Sequence, residues 1–115
     1  MKYQGSCHCG TITFSVEGSL EQVLDCNCSH CRRKGYLLWF VPRSQLDIHA
    51  PDDQMAIYTF NHHVIKHHFC LNCGCAPFGL GTSTAGVEMA GINVRCLEEV
   101  DLAALKVIPV DGKSL

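Results

Sequence analysis

Eight of the nine cysteines stand in three tight groups: Cys7-His8-Cys9, Cys26-Asn27-Cys28-Ser29-His30-Cys31 and Cys70-Leu71-Asn72-Cys73-Gly74-Cys75, with Cys96 alone. Nine thiols in 115 residues approach the density of a disulfide scaffold, about 8% of a short chain. Three features oppose that reading. The count is odd, so full pairing leaves one thiol over. The start, Met1-Lys2-Tyr3-Gln4-Gly5-Ser6, has no apolar stretch of the kind that directs secretion, so the expected compartment is the reducing cytoplasm. Close clusters also gather sulfurs around one point, as a metal requires, rather than bridging distant strands. Metal thiolates are therefore the expectation, ahead of disulfides or free redox thiols.

The remaining composition sets bounds. A chain of 115 residues with 47% hydrophobic content suits one domain, expected over residues 1–115, with a modest core. Charged residues make up 17% and the net charge is −2, which argues against a broad nucleic-acid-binding face, since that needs a basic surplus. No apolar run approaches the roughly 20 residues of a membrane span, so no membrane partner is expected.

Hydrophobic periodicity predicts a mostly antiparallel β domain. Thr11 to Glu17 alternates, with Ile12, Phe14 and Val16 on one face, as a half-buried strand does. Gln22 to Asp25 reads as a strand entering the second cysteine group. Tyr36 to Val41 reads as a buried strand stopped by Pro42, with Tyr36, Trp39 and Phe40 in the core. Gln54 to Phe60 and Val64 to Phe69 flank a predicted turn at Asn61-His62-His63. Val87 to Val94 is a further strand, interrupted at Gly91. Ser29 to Lys34 and Leu102 to Lys106 are the two short predicted helices.

Ligand counting divides the thiols. Structural zinc takes four Cys or His ligands, whereas catalytic zinc keeps one position open. Cys70-x-x-Cys73-Gly74 is a knuckle turn supplying two ligands, and Cys7-x-Cys9-Gly10 is the other pair followed by glycine. A closed site of Cys7, Cys9, Cys70 and Cys73 is the natural assembly. In a domain this small it would act as a staple. Cys26, Cys28 and Cys31 can reach one ion but leave its fourth face open, unless His8, His30 or Cys75 closes it. Zinc with three thiolates carries a net charge of −1, so it should generate hydroxide poorly and hold a fourth thiolate well. Arg32, Arg33 and Lys34 follow directly, either as a solvated basic turn or as a counter-charge for an anionic substrate.

Three stretches, Gly5-Ser6-Cys7-His8-Cys9-Gly10, Cys26-Asn27-Cys28-Ser29-His30-Cys31-Arg32-Arg33-Lys34-Gly35 and His68-Phe69-Cys70-Leu71-Asn72-Cys73-Gly74, closely resemble the glutathione-dependent formaldehyde-activating enzyme family, whose domain is shared with centromere protein V. The tail, Asn93-Val94-Arg95-Cys96-Leu97 with Asp101-Leu102 and Asp111-Gly112, is similar to that family's ending. The resemblance implies a mainly β fold, a small antiparallel β-tent (Mss4-like) domain stapled by zinc. It implies two zinc ions per chain, one structural on Cys7, Cys9, Cys70 and Cys73 and one on Cys26, Cys28 and Cys31. It also implies a carbon–sulfur lyase-type activity on a thiol–aldehyde adduct of the S-hydroxymethylglutathione kind, so the expected partner is a small-molecule thiol or thiol adduct.

The chain is shorter than the family's namesake enzymes, and Cys75 stands where many members carry threonine. Cys75 reads first as a small buried hydrophobe and Cys96 as core packing. Among the histidines, His62, His63, His67 and His68 read as exposed strand residues. His30 is the candidate proton carrier beside the open position. Four thiolates alone would also suit iron. The expected function is thus a zinc-dependent lyase-like enzyme whose substrate sulfur completes an open three-cysteine site. The alternatives are a non-catalytic protein- or DNA-binding module and a zinc or thiol sensor.

Overall fold

Ile12, Phe14 and Val16 are fully buried, as their alternation predicts, and Ser15 between them is buried too, at 5% exposure. The reason is position: strand β2 (Thr13–Glu17) is the middle of a three-stranded antiparallel sheet, between β1 (Lys2–Ser6) and β5 (Leu46–His49). The computed structural model describes residues 1–114. Seven further strands, β3 (Gln22–Cys26), β4 (Leu38–Pro42), β6 (Met55–Tyr58), β7 (Lys66–Cys70), β8 (Phe78–Thr82), β9 (Glu88–Asn93) and β10 (Lys106–Val110), form the second sheet in the order β10-β3-β4-β9-β8-β7-β6. The fold is mainly β and its sheets are antiparallel, apart from the parallel pair β3 and β10.

The two sheets meet through aromatic side chains. Phe14 meets Phe78 edge-on at 5.6 Å, and Tyr3 meets Trp39 in the same manner at 5.6 Å. Such contacts add to the area effect of burying large rings. Trp39 is therefore a core residue, as expected, whereas Phe40, next along the pleat, points to the opposite face and is 46% exposed. An alternating strand cannot bury both neighbours in one core.

Several predicted elements shift for identifiable reasons. The strand expected from Tyr36 begins only at Leu38, because Gly35 in a left-handed conformation ends helix α1 (Ser29–Lys34) just before it. Strand β9 runs unbroken through Gly91, which the Phe40 ring covers: a Cβ there would lie 3.0 Å from Phe40 Cε1. The helix expected over Leu102 to Lys106 is a single 3-10 turn, Leu102–Ala104, capped by Asp101. The β-branched run beyond it becomes β10, an edge strand that tolerates Pro109. The hairpin turn holds, with Asn61 and His63 both at positive φ, but its strands are shorter than the pattern suggested.

Candidate functional site

Two turns of similar build bring the first four thiols together. Gly10 N–H donates to the Cys7 carbonyl (3.2 Å) and Gly74 N–H to the Cys70 carbonyl (2.9 Å). Both glycines adopt positive φ, 84° and 80°, where a side chain would be strained. Cys7 follows β1 and Cys70 ends β7, so the cluster joins one sheet to the other. The Sγ atoms of Cys7, Cys9, Cys70 and Cys73 lie within 4.8 Å of one another. Cys9 Sγ stands 3.7 Å from Cys7 Sγ and 3.6 Å from Cys70 Sγ. A tetrahedron with zinc–sulfur bonds of about 2.3 Å has edges of about 3.8 Å, so this donor set fits a tetrahedral metal.

Backbone amides already point at these sulfurs: Ile12 N–H donates to Cys7 Sγ (3.3 Å), and those of Asn72 and Cys73 to Cys70 Sγ (3.4 and 3.5 Å). Burial, with the neighbouring thiols, pushes Cys7 up to about 11, while hydrogen bonds from the side chains of Thr11 and Asn72 pull the exposed Cys9 down to about 5. Without metal the cluster is a mixture of thiol and thiolate. Loading a metal therefore releases protons.

The second group arises from a strand end and a short helix. Cys26 ends β3, Cys28 caps α1 by accepting the Cys31 N–H at Sγ (3.2 Å), and Cys31 lies buried within α1. Their three sulfurs are also within 4.8 Å of one another. Burial, reinforced by Cys28, raises the Cys31 thiol far above its ordinary value; Cys28 is lowered, because bonds from Cys31 and His30 outweigh its own burial. Among the described residues, His8, His30 and Cys75 join neither group.

The C-terminal segment braces this loop. Asn27 donates its side-chain amide to Asp111 Oδ1 (3.0 Å) and accepts the Lys113 N–H at its carbonyl oxygen (3.0 Å). Asn27 N–H donates to the Val110 carbonyl (3.1 Å). Gly112 packs so closely on Cys26 Sγ that a Cβ there would collide with it.

A groove with two lobes opens beside the three thiols. One lobe, about 640 Å³, is bordered by α1 through His30, Arg33 and Lys34. The other, about 490 Å³, reaches Cys26, Cys28 and Cys31 and runs over the outer face of the large sheet. Tyr36, Phe60 and His67 line both lobes. Here the rings of His30 and His67 approach to 4.4 Å, and Phe60 lies 5.1 Å from His30. Burial, with the charge of Lys34 adding to it, lowers the His30 pKa. Burial first, then repulsion from any positive charge on His30, His68 and Lys34, lowers His67 to about 4. Near neutral pH both rings are proton acceptors. His30 Nδ1 is buried with no hydrogen-bond partner among the described residues.

A model of the glutathione-dependent formaldehyde-activating enzymes matches residues 2–108. The chain belongs to that family. The chain is also similar to a crystal structure of a Rhodobacter sphaeroides protein, which is 32% identical, superposes with a TM-score of 0.79, and aligns over 95% of this chain and 98% of that one. Membership in the glutathione-dependent formaldehyde-activating family places the chain among enzymes, and its two cysteine groups could each hold a metal ion. Among the described residues, no helix is long and apolar enough to cross a membrane.

The structure brings Cys7, Cys9, Cys70 and Cys73 into one sulfur cluster and Cys26, Cys28 and Cys31 into another. Two expectations change. His67 and His68 are not exposed strand residues: His67 faces the groove, and His68 is 8% exposed against Phe78, its Nδ1 3.0 Å from the Lys66 carbonyl oxygen. Tyr36 is buried, as expected of core, but it forms the wall of the groove rather than the main core. Cys75 and Cys96 are half-buried and pack against the main core. Burial lifts Cys96 to about 11, with nearby thiols adding to the effect. Sequence reasoning gave no functional role to Tyr58 or Phe60. Their period-2 spacing was the available signal, but it could not show that the hairpin folds over α1.

Proposed function

We propose that the chain is a zinc-dependent, carbon–sulfur lyase-type enzyme that makes or breaks the bond between a thiol and an aldehyde, as in S-hydroxymethylglutathione. In this reading residues 1–115 act as one domain carrying two zinc ions in the cytoplasm. Cys7, Cys9, Cys70 and Cys73 hold the structural ion, and Cys26, Cys28 and Cys31 hold the open one. The observation that carries it is the second cluster: three thiols within bonding reach of one ion, with no fourth protein donor beside them among the described residues, at the end of a groove. A zinc ion there would supply one free coordination position and favour a substrate sulfur in its thiolate form.

The chain's own residues then have defined tasks. His30, which borders the groove, takes the proton released as the thiol ionises. The sulfur attacks the carbonyl carbon, the carbon–sulfur bond forms, and the π pair moves to oxygen. His30 returns the proton to that oxygen, so the addition is neutral in protons and electrons. The reverse path cleaves the adduct. Arg33 and Lys34 line the lobe beside His30 and can meet the carboxylates of a glutathione-like thiol. Tyr36, Phe60 and His67 wall the junction and reduce water access.

The test is spectroscopic. Cobalt-substituted protein is titrated with glutathione, then with formaldehyde. A thiol entering the coordination of one cobalt intensifies the sulfur-to-cobalt charge-transfer band, and the aldehyde alters it again. A spectrum unmoved by thiol contradicts the open site and favours two closed, purely structural ions.

A further inference from the structure

Formaldehyde adds one carbon to a thiol and needs almost no room, yet the lobe that touches the three cysteines holds about 490 Å³. Its floor is the outer face of the large sheet, and that face is stripped of side chains at adjacent positions. Gly79 and Gly91 pair directly across β8 and β9, and Gly81 lies two residues on, opposite Met89. Glycine inside a strand weakens it and marks a place where something approaches the backbone closely. None of these three glycines has the positive φ that would require it on conformational grounds. The walls are apolar. Phe40 is 46% exposed and Ile65 is 48% exposed. Both border the glycines: a Cβ added at Gly91 would lie 3.0 Å from the Phe40 ring, and one added at Gly79 or Gly81 would lie 3.4 Å from the Ile65 side chain.

We propose that this glycine-floored trough binds the apolar substituent of a larger aldehyde, so that the preferred adduct joins a thiol to an aliphatic or aromatic aldehyde of several carbons rather than to formaldehyde alone. The inference rests on the thiol–aldehyde reading above and adds the substrate class. The adduct's sulfur lies at Cys26, Cys28 and Cys31, the thiol's anionic body takes the lobe with Arg33 and Lys34, and the aldehyde substituent runs over Gly79 and Gly81, between the Ile65 side chain and the Phe40 ring that covers Gly91. The chemistry is unchanged: the bond formed joins sulfur to the carbonyl carbon, and the proton ends on the carbonyl oxygen. Specificity comes from apolar area removed from water along the trough.

The test uses stable thioether mimics, which read binding without turnover. Zinc-loaded protein is titrated calorimetrically with S-methylglutathione and S-hexylglutathione. Five buried methylenes should make the hexyl conjugate at least about tenfold tighter. That ratio should fall towards one in Gly81→Leu, which fills the floor, and in Phe40→Ala, which removes an exposed wall and spares the core. Both variants are checked for unchanged circular dichroism. Equal affinity for the two conjugates, no binding of the hexyl conjugate, or a ratio preserved in Phe40→Ala and in folded Gly81→Leu overturns the assignment. The cobalt titration separates the two claims: thiol entry at the metal without any preference for chain length keeps the thiol–aldehyde reading and sinks this one.

Discussion

The side-chain amide of Asn27 spans 84 residues of sequence to donate to Asp111 Oδ1 at 3.0 Å, while its oxygen accepts from the Lys113 N–H. One side chain thus holds the Cys26–Cys28 loop to the C-terminal segment. Asp111 is itself fixed, its carboxyl held below the usual range by the Ser114 hydroxyl and by Asn27.

Replacing Asn27 with Ala removes both contacts from a loop whose neighbours are ligands. Groups that orient metal ligands typically change affinity by about 10- to 100-fold. We expect Asn27→Ala to weaken metal at the three-cysteine site by at least about tenfold and to leave the four-cysteine site unchanged. Competition with a graded series of chelators, read as zinc released per chain, checks this. Equal weakening of both sites would mean that the clasp supports the whole fold rather than one loop.

The four-cysteine cluster should behave differently when cut. Cys7 and Cys70 are 2% and 1% exposed and belong to the main core, so their loss removes packing as well as a ligand. For Cys70→Ser we expect the thermal midpoint to fall by about 15 °C or more, or cooperative unfolding to disappear. A midpoint within a few degrees of the parent would show that the staple contributes little.

Gly5 sets a constraint of another kind. It pairs with Phe14 across β1 and β2, and the Phe14 ring lies over it so closely that a Cβ would collide with the ring. Overpacking of this sort usually destabilises by about 1–3 kcal/mol. Gly5→Ala should lower the thermal midpoint by about 5–10 °C with zinc content unchanged. Loss of zinc in that variant would instead tie Gly5 to the cluster.

The pH dependence of stability should carry the mark of His67. Burial, above all, holds its pKa at about 4 in the folded chain, against 6.5 ordinarily. Between those values the unfolded chain binds the extra proton, so stability falls as pH drops across that window, and the effect vanishes above 6.5. Acid also protonates the thiols in any variant. The diagnostic is therefore the difference between parent and His67→Phe, measured by denaturant titration from about pH 6.5 down to about 4.5. The variant should show the shallower slope, and parallel slopes would contradict the buried neutral ring.

The sequence made the metal chemistry legible and the groove much less so. Short thiol spacings such as Cys70-x-x-Cys73 impose their geometry locally, so the residues of each cluster could be named before any fold was known. Helix α1 was equally local, because Cys28 caps it and Gly35 ends it. The groove depends on strand pairing over long separations. His67 reaches His30 only because the hairpin of β6 and β7 folds over α1, and His67 therefore read as an exposed strand residue. Strands β1 and β8 carry mixed patterns, since Gly5, Gly79 and Gly81 interrupt the alternation. Strand β10 was hidden by Leu102 and Leu105, whose helical spacing serves a single 3-10 turn.

The division of the thiols into a staple and an open site is tested most directly by metal counting on the purified protein and on Cys26→Ser. We expect two zinc ions per parent chain, and one per chain in the variant with its circular dichroism and cooperative melting retained. A single zinc in the parent, or complete unfolding of Cys26→Ser, would contradict that division.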